Sequence, residues 1–390
     1  MGGPTAAPDT TRGRRRSPPV SLAIRGCRGC AQACRGPETG TRVGAVDSQS
    51  RSHTVVESAA PADPAGPPLL VSVETLAAWL GHEIPGGTPP ARAASPAFAS
   101  GDRPEGGRGV VLLDVRWSVA AGGADHAAYL RGHLPGAVYV SMDGDLAGHG
   151  SPQDGRHPLP TPADFAETVR RWGVDDGDTV VVYDDCGGTS AARAWWLLRH
   201  AGIRSSLVLD GGLAAWRDAG LALQAGEVIP APGSACASWG RMPVVDADGA
   251  EAIAEAGLLL DARAPERYRG ETEPLDPVAG HIPRAVNLPT TGNLDDDGRL
   301  LPQEDLAERF AAVTAGVDED APVAVYCGSG VTAAHQVMAM AAAGLHGVAL
   351  FPGSWSAWCN DPHRPVATGP EPAGSAPDGS AVGSLAPRSR

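Results

Sequence analysis

Six residues, Cys327-Gly-Ser-Gly-Val-Thr332, place a single thiol where the apolar run Val323-Ala-Val-Tyr326 gives way to an Ala-rich stretch, Val331 to Ala343, closed by Gly344. The run and the closing glycine predict a strand, a tight loop and a helix. A cysteine at such a junction meets inward-pointing backbone N–H groups and the positive end of the helix dipole, and both favour thiolate over thiol. Helix N-termini lower a cysteine pKa from about 8.5 into a range of roughly 3.5 to 7.5, and thiolate is the nucleophilic form. Gly328 and Gly330 let the backbone curl and leave its donors open. The loop reads as an anion cradle around a nucleophile. The plainer reading, a buried cysteine packing as a small hydrophobe, does not account for the two glycines, Ser329 and Thr332.

The neighbouring residues narrow the chemistry. A cysteine phosphatase closes its loop with an arginine whose planar fork fits phosphate, and here Thr332 and Ala333 stand in that place. A Walker loop is excluded, because all 31 basic residues are Arg and the chain has no lysine.

The elements that must position the cysteine occur twice. Val111-Leu-Leu-Asp-Val-Arg116 recurs as Leu258-Leu-Leu-Asp-Ala-Arg263, and Gly132-His-Leu-Pro-Gly-Ala-Val138 as Gly280-His-Ile-Pro-Arg-Ala-Val286. Val180-Val-Val-Tyr-Asp184 matches Val323-Ala-Val-Tyr-Cys327, and Gly211-Gly-Leu-Ala-Ala-Trp216 matches Gly353-Ser-Trp-Ser-Ala-Trp358. Four matches in one order mean a duplicated domain. In this register Asp184 occupies the position of Cys327, so the first copy lacks the nucleophile, and Cys186 is an incidental thiol. Within each copy short apolar strands alternate with helical stretches, which predicts βαβ units and an α/β fold with a parallel sheet covered on both faces. In copy one the strands fall near 110–115, 180–183 and 206–209, and the helices near 74–80, 162–172, 190–201 and 212–219; copy two repeats the plan. Ligands of open α/β sheets bind beyond the carboxyl ends of strands, where Cys327 sits.

The cysteine loop and its duplicated setting resemble the rhodanese superfamily, with Cys-Gly-Ser-Gly-Val-Thr most similar to the loop of 3-mercaptopyruvate sulfurtransferases. The resemblance implies two tandem rhodanese-like domains with the site in the cleft between them, and a sulfurtransferase that needs no cofactor or metal. Sulfur would pass from a small-molecule donor through a Cys327 persulfide to a thiol, thioredoxin-like or cyanide acceptor. A neutral, hydroxyl-bearing loop suits the monoanion 3-mercaptopyruvate; thiosulfate-specific members carry a basic pair instead. By resemblance Ser329 belongs to a Ser-His-Asp relay completed from the first domain by His157 and Asp143, and Arg267 binds the substrate carboxylate, with Gly328, Gly330, Val331 and Thr332 forming the loop around it. Arg263 is expected to pair with Asp261, as Arg116 with Asp114. The family's second arginine is missing, since Glu273-Pro-Leu-Asp-Pro277 occupies the region, which leaves thiosulfate as the alternative donor. A persulfide carrier or binding module without turnover is the other alternative. His133 and His281, and Trp216 and Trp358, repeat in both copies and read as structural; Cys359 reads as buried and inert.

The organisation expected is a disordered extension over 1–66, a non-catalytic domain over 67–223 with a disordered insert at 84–109, a linker over 224–243, a catalytic domain over 244–366 and a disordered tail over 367–390. The ends are rich in Gly, Pro, Ala and Ser and bury too little apolar surface to order. The net charge is −14; the first 60 residues hold nine Arg against four acids, leaving −14 − 5 = −19 for the remainder. A body that acidic repels nucleic acid and anionic membrane. Cys27, Cys30 and Cys34 lack a fourth ligand for a closed zinc site, and the Val20 to Ile24 run behind Arg14-Arg-Arg16 is too short for a signal peptide. Seven cysteines without a regular framework suit a reducing compartment, taken as the cytoplasm.

Overall fold

The computed structural model describes residues 68–84, 109–118 and 123–373, all within one compact unit. The expectations for residues 1–66, nearly all of the 84–109 insert, the tail beyond 373, Cys27, Cys30, Cys34 and the arginine triplet lie outside the described residues.

The first half carries strands β1 (Leu70–Val71), β2 (Val110–Val115), β3 (Trp117–Ser118), β4 (Gly123–Ala124), β5 (Val138–Val140), β6 (Thr179–Tyr183) and β7 (Ser206–Leu209). Five of them form one sheet in the order β1-β7-β6-β2-β5, and every pairing in it is parallel. β3 and β4 form a separate antiparallel hairpin. The helices are α1 (Val73–Leu80), α2 (His126–Arg131), α3 (Met142–Asp145), α4 (Pro162–Arg171), α5 (Thr189–His200) and α6 (Gly212–Asp218). β6 is central because its sequence, TVVVY, is β-branched and apolar on both faces, and all five residues are buried.

The second half repeats the plan with fewer strands: β8 (Leu258–Asp261), β9 (Val286–Asn287), β10 (Val323–Tyr326) and β11 (Ala349–Leu350), ordered β11-β10-β8-β9 and parallel throughout. Its helices are α7 (Ala247–Ala256), α8 (Pro265–Tyr268), α9 (Gln303–Thr314), α10 (Val331–Ala342) and α11 (Ser354–Trp358). β1, β5 and β9 are two or three residues long, too short to show a period in sequence, and sheet neighbours define them.

The repeated pairs behave alike in both halves. Arg116 is bonded to Asp114 and to the Gly132 carbonyl; Arg263 is bonded to Asp261 and to the Gly280 carbonyl. His133 and His281 are buried against Tyr129 and Tyr268 with both ring nitrogens on backbone carbonyls. The indoles of Trp216 and Trp358 are buried and donate to the carbonyls of Ala222 and Pro365. Two boundaries differ from the sequence reading. Residues 367–373 continue as packed chain, since Ala367 pairs with His281 and the Gly369 N–H donates to Arg269. Residues 224–243 lie against the first half, with N–H groups of Gly233, Ala235 and Ser238 donating to Arg170, Val174 and Ala201.

α5 and α10 pack together at the junction of the halves, and one apolar cluster runs from Trp195, Trp196 and Leu198 to Val337, Met338 and Met340. Every residue of α5 from Ser190 to His200 is buried, the pattern of a helix covered on all sides. The same packing sets the first turns of α5 and α10 at the junction of the halves, where Arg193 of α5 bonds the Gly330 carbonyl and His335 of α10 lies beside Gly188.

Candidate active site

Cys327 follows β10 directly, and Gly330 caps α10 in the left-handed conformation (φ 77°). A side chain on Gly330 would overlap the Pro352 carbonyl, so only glycine turns the chain here. The Gly330 N–H donates to Cys327 Sγ at 3.2 Å, and the Cys327 N–H donates to Ser354 Oγ at 3.1 Å. Ser354 itself holds a left-handed backbone (φ 54°), an uncommon state for a non-glycine residue. The corresponding residue of the first half is Gly212, with the same φ of 54°. α11 locks the loop from the other side, its Trp355 and Ser356 N–H groups donating to the Cys327 and Gly328 carbonyls. Cys327 is 2% exposed and Ser329 7%. Val331 and Thr332 open α10, where N–H groups lack intrahelical partners.

The first half closes this loop. His157 Nδ1 lies 2.8 Å from Ser329 Oγ, and its Nε2 lies 3.1 Å from Asp143 Oδ1. Asp143 sits in the first turn of α3, whose N-terminus Ser141 caps. A carboxylate only accepts, so Nε2 carries the imidazole proton, and Nδ1 accepts from the Ser329 hydroxyl. Burial holds the His157 pKa below its ordinary value, against the upward pull of Asp143, while Arg193 adds to the lowering. The three relay residues named from the sequence are thus brought together.

Arg267 reaches the loop from α8. It pairs with Glu273 at 2.6 Å and with Asp276 at 3.5 Å. A second guanidinium, invisible as such in the sequence, comes from the first half: Arg156, adjacent to His157, also pairs with Asp276. A Cβ built on Gly328 would lie 2.9 Å from Arg156 Nη2 and 3.3 Å from Arg267 Nη1. This corrects the expectation of a single cationic group at the loop. The Glu273–Asp276 segment supplies buried counter-ions, and the additional arginine arrives across the cleft, where no spacing rule within the second half finds it. The adjacency of Arg156 to His157 was the available signal. Arg193 of α5 and Ser354 were also missed, and both look in sequence like core residues of a repeat.

The first half shows what the cradle does when an aspartate, Asp184, stands at the position of Cys327. Asp184 accepts from the N–H groups of Cys186 and Gly188 with one carboxylate oxygen and from those of Ser190 and Ala191 with the other, at 2.8 to 3.0 Å. The loop there is filled by its own anion. Cys186 Sγ contacts the hydroxyls of Thr189 and Ser190. Cys359 is buried in the second core, and burial pushes its thiol up to about 11.

Residues 102–219 and 246–361 match the rhodanese-like domain. A Mycobacterium tuberculosis protein provisionally named a thiosulfate sulfurtransferase, SseB, is 47% identical over 270 residues, covering 68% of this chain and 93% of the relative. A Pseudomonas aeruginosa protein provisionally named a 3-mercaptopyruvate sulfurtransferase is 47% identical over 264 residues, covering 67% and 93%. The crystal structure of the Escherichia coli 3-mercaptopyruvate enzyme SseA superimposes with a TM-score of 0.59 at 31% identity, covering 74% of this chain and 99% of that one. Both halves match one domain family, and the relatives match across both, so the chain belongs to the rhodanese family as a tandem-domain sulfurtransferase.

Proposed function

We propose that the chain transfers sulfur from 3-mercaptopyruvate through Cys327 to a thiol, a thioredoxin-like protein or cyanide. The observation that carries this reading is the Asp143–His157–Ser329 chain, which ends two residues from the nucleophile. The Cys327 thiolate attacks the donor sulfur, an S–S bond forms, and the donor C–S bond breaks with its electron pair left on carbon as pyruvate enolate. The donor S–H proton moves through Ser329 Oγ to His157 Nδ1 and returns to the enolate carbon, giving pyruvate and a Cys327 persulfide anion with charge and protons balanced. An acceptor thiol then takes the outer sulfur by exchange. Arg267 and Arg156 hold the donor carboxylate beside Gly328. Residues 102–219 form the non-catalytic half and 246–361 the catalytic one, and the reaction belongs in the cytoplasm, where acceptor thiols stay reduced.

Thiosulfate is the second reading. Two guanidiniums converging on Gly328 suit a dianion, and the mycobacterial relative carries that donor in its name. Thiosulfate leaves as sulfite and needs no carbon protonation, so the relay discriminates. Steady-state transfer to cyanide from each donor, in wild type and Ser329→Ala, is expected to show preference for 3-mercaptopyruvate and a fall of roughly a hundredfold with that donor alone in the variant. Equal use of thiosulfate with a neutral Ser329→Ala would assign the enzyme to thiosulfate.

A further inference from the structure

Arg193 lies on α5 in the first half and is 0% exposed. No carboxylate among the described residues pairs with it. Its guanidinium donates instead to three carbonyls: Leu146, at 3.2 Å from Nη2 and 3.3 Å from Nε, His157 at 2.9 Å, and Gly330 at 3.3 Å. The last two belong to the relay and to the cysteine loop, on opposite sides of the cleft. A buried, unpaired cation is unfavourable unless an anion completes it.

The duplication shows which anion that is. α5 starts at Thr189 and α10 at Val331, so Arg193 and His335 are both the fifth residue of their helices. Each stands over the loop of the opposite half. The His335 ring lies beside Gly188, in the loop that carries Asp184, and Arg193 bonds Gly330, in the loop that carries Cys327. Asp184 is held by four N–H groups, and the His335 ring stands over that loop beside Gly188. Burial pushes His335 down to about 4. Cys327 receives at its sulfur the N–H of Gly330, and the Arg193 guanidinium bonds the carbonyl of that same Gly330. Burial pushes Arg193 down to about 10, and the Cys327 charge is the one that acts the other way.

We infer that Arg193 is a positioning residue of the first half whose cation is the structural counter-charge of the Cys327 thiolate and whose hydrogen bonds fix His157 against the cysteine loop. This deepens the sulfurtransferase reading and rests on Cys327 as the nucleophile, but not on the identity of the donor. The other titratable and charged groups at the loop are His157 from the first half, which pairs with Asp143, Arg156 paired with Asp276, and Arg267 paired with Glu273 and Asp276. The last two cations have carboxylate partners; Arg193 has none among the described residues.

The test is the pH dependence of Cys327 alkylation by iodoacetamide in the full chain, followed on the Cys327 peptide by mass spectrometry, in wild type, Arg193→Lys, Arg193→Gln and Arg193→Met. Alkylation needs no donor, so it is independent of the 3-mercaptopyruvate assignment. The midpoint is expected to rise by about one unit in Arg193→Gln and Arg193→Met, a tenfold slower reaction at a fixed pH below it, and to return most of the way in Arg193→Lys. Glutamine keeps a hydrogen-bond donor and loses the charge, so the glutamine–lysine comparison decides the matter even where the methionine variant does not fold. Equal midpoints for Arg193→Gln and Arg193→Lys would overturn the inference and leave Arg193 a packing residue.

Discussion

In the proposed relay His157 acts as a neutral imidazole, and its surroundings favour that form. Burial lowers its pKa, so the relay-competent state is present at and above pH 6.5 and is lost as pH falls through the lowered value. Asp143 is the group that pulls the other way, through its charge and its hydrogen bond. Asp143→Asn is therefore expected to shift the acid limb of turnover with 3-mercaptopyruvate to lower pH while reducing kcat, because the ring loses its orienting acceptor. A pH–rate profile of wild type and variant checks this, and an unmoved acid limb would remove His157 from the relay. Cys327, Ser329, His157 and Arg267 were legible in sequence because each sits in a motif whose spacing or resemblance carries a role. Arg156, Arg193 and Ser354 were not, because their significance is contact across the cleft or an unusual backbone angle, and neither leaves a pattern in one dimension.

The strand–loop–helix element is used twice with opposite contents. In the second half the loop ends on Gly330 and receives a sulfur; in the first it ends on Gly188 and receives the Asp184 carboxylate. The first loop runs one residue longer, from 184 to 188 against 327 to 330. The self-filled cradle makes Asp184 a structural anion. Hydrogen bonds to a charged group contribute about 1.5 to 3 kcal/mol each, and truncation leaves four N–H donors without this acceptor, those of Ser190 and Ala191 buried and those of Cys186 and Gly188 part-buried. Asp184→Ala is expected to destabilise the chain by about 3 kcal/mol or more and to leave sulfur transfer per folded molecule unchanged, as urea denaturation alongside activity measures; a stable variant with lost turnover would mean that the first loop takes part in the reaction. The duplication made this element readable in sequence, since strand, loop and helix recur in order. The short strands β1, β5 and β9 were not, because pairing with neighbours defines them rather than their own pattern.

The molecule as a whole is built around the α5–α10 contact, which joins the apolar cores of the two halves and brings His157 against Ser329 beside Cys327. Two buried histidines lie on these helices, His200 on α5 and His335 on α10, and burial pushes each down to about 4. An unfolded chain takes up these protons near pH 6.5, whereas the folded chain resists until near 4. Stability is therefore full above pH 6.5 and falls as pH drops toward 4, by on the order of 3 kcal/mol for the fully buried His335. Urea midpoints between pH 7 and 4 are expected to fall as one transition for both halves, and His335→Leu is expected to flatten the decline; a decline as steep in the variant would show that the histidine is not its source. Among the described residues no helix is long and apolar enough to cross a membrane.

A single turnover with 3-mercaptopyruvate reads the central claim most directly, with pyruvate release and the mass of the Cys327 peptide measured in the same sample. The account predicts one pyruvate and one added sulfur on Cys327 per chain, and neither product in Cys327→Ser. Pyruvate without sulfur on Cys327, or sulfur on Cys186 or Cys359 instead, would contradict it.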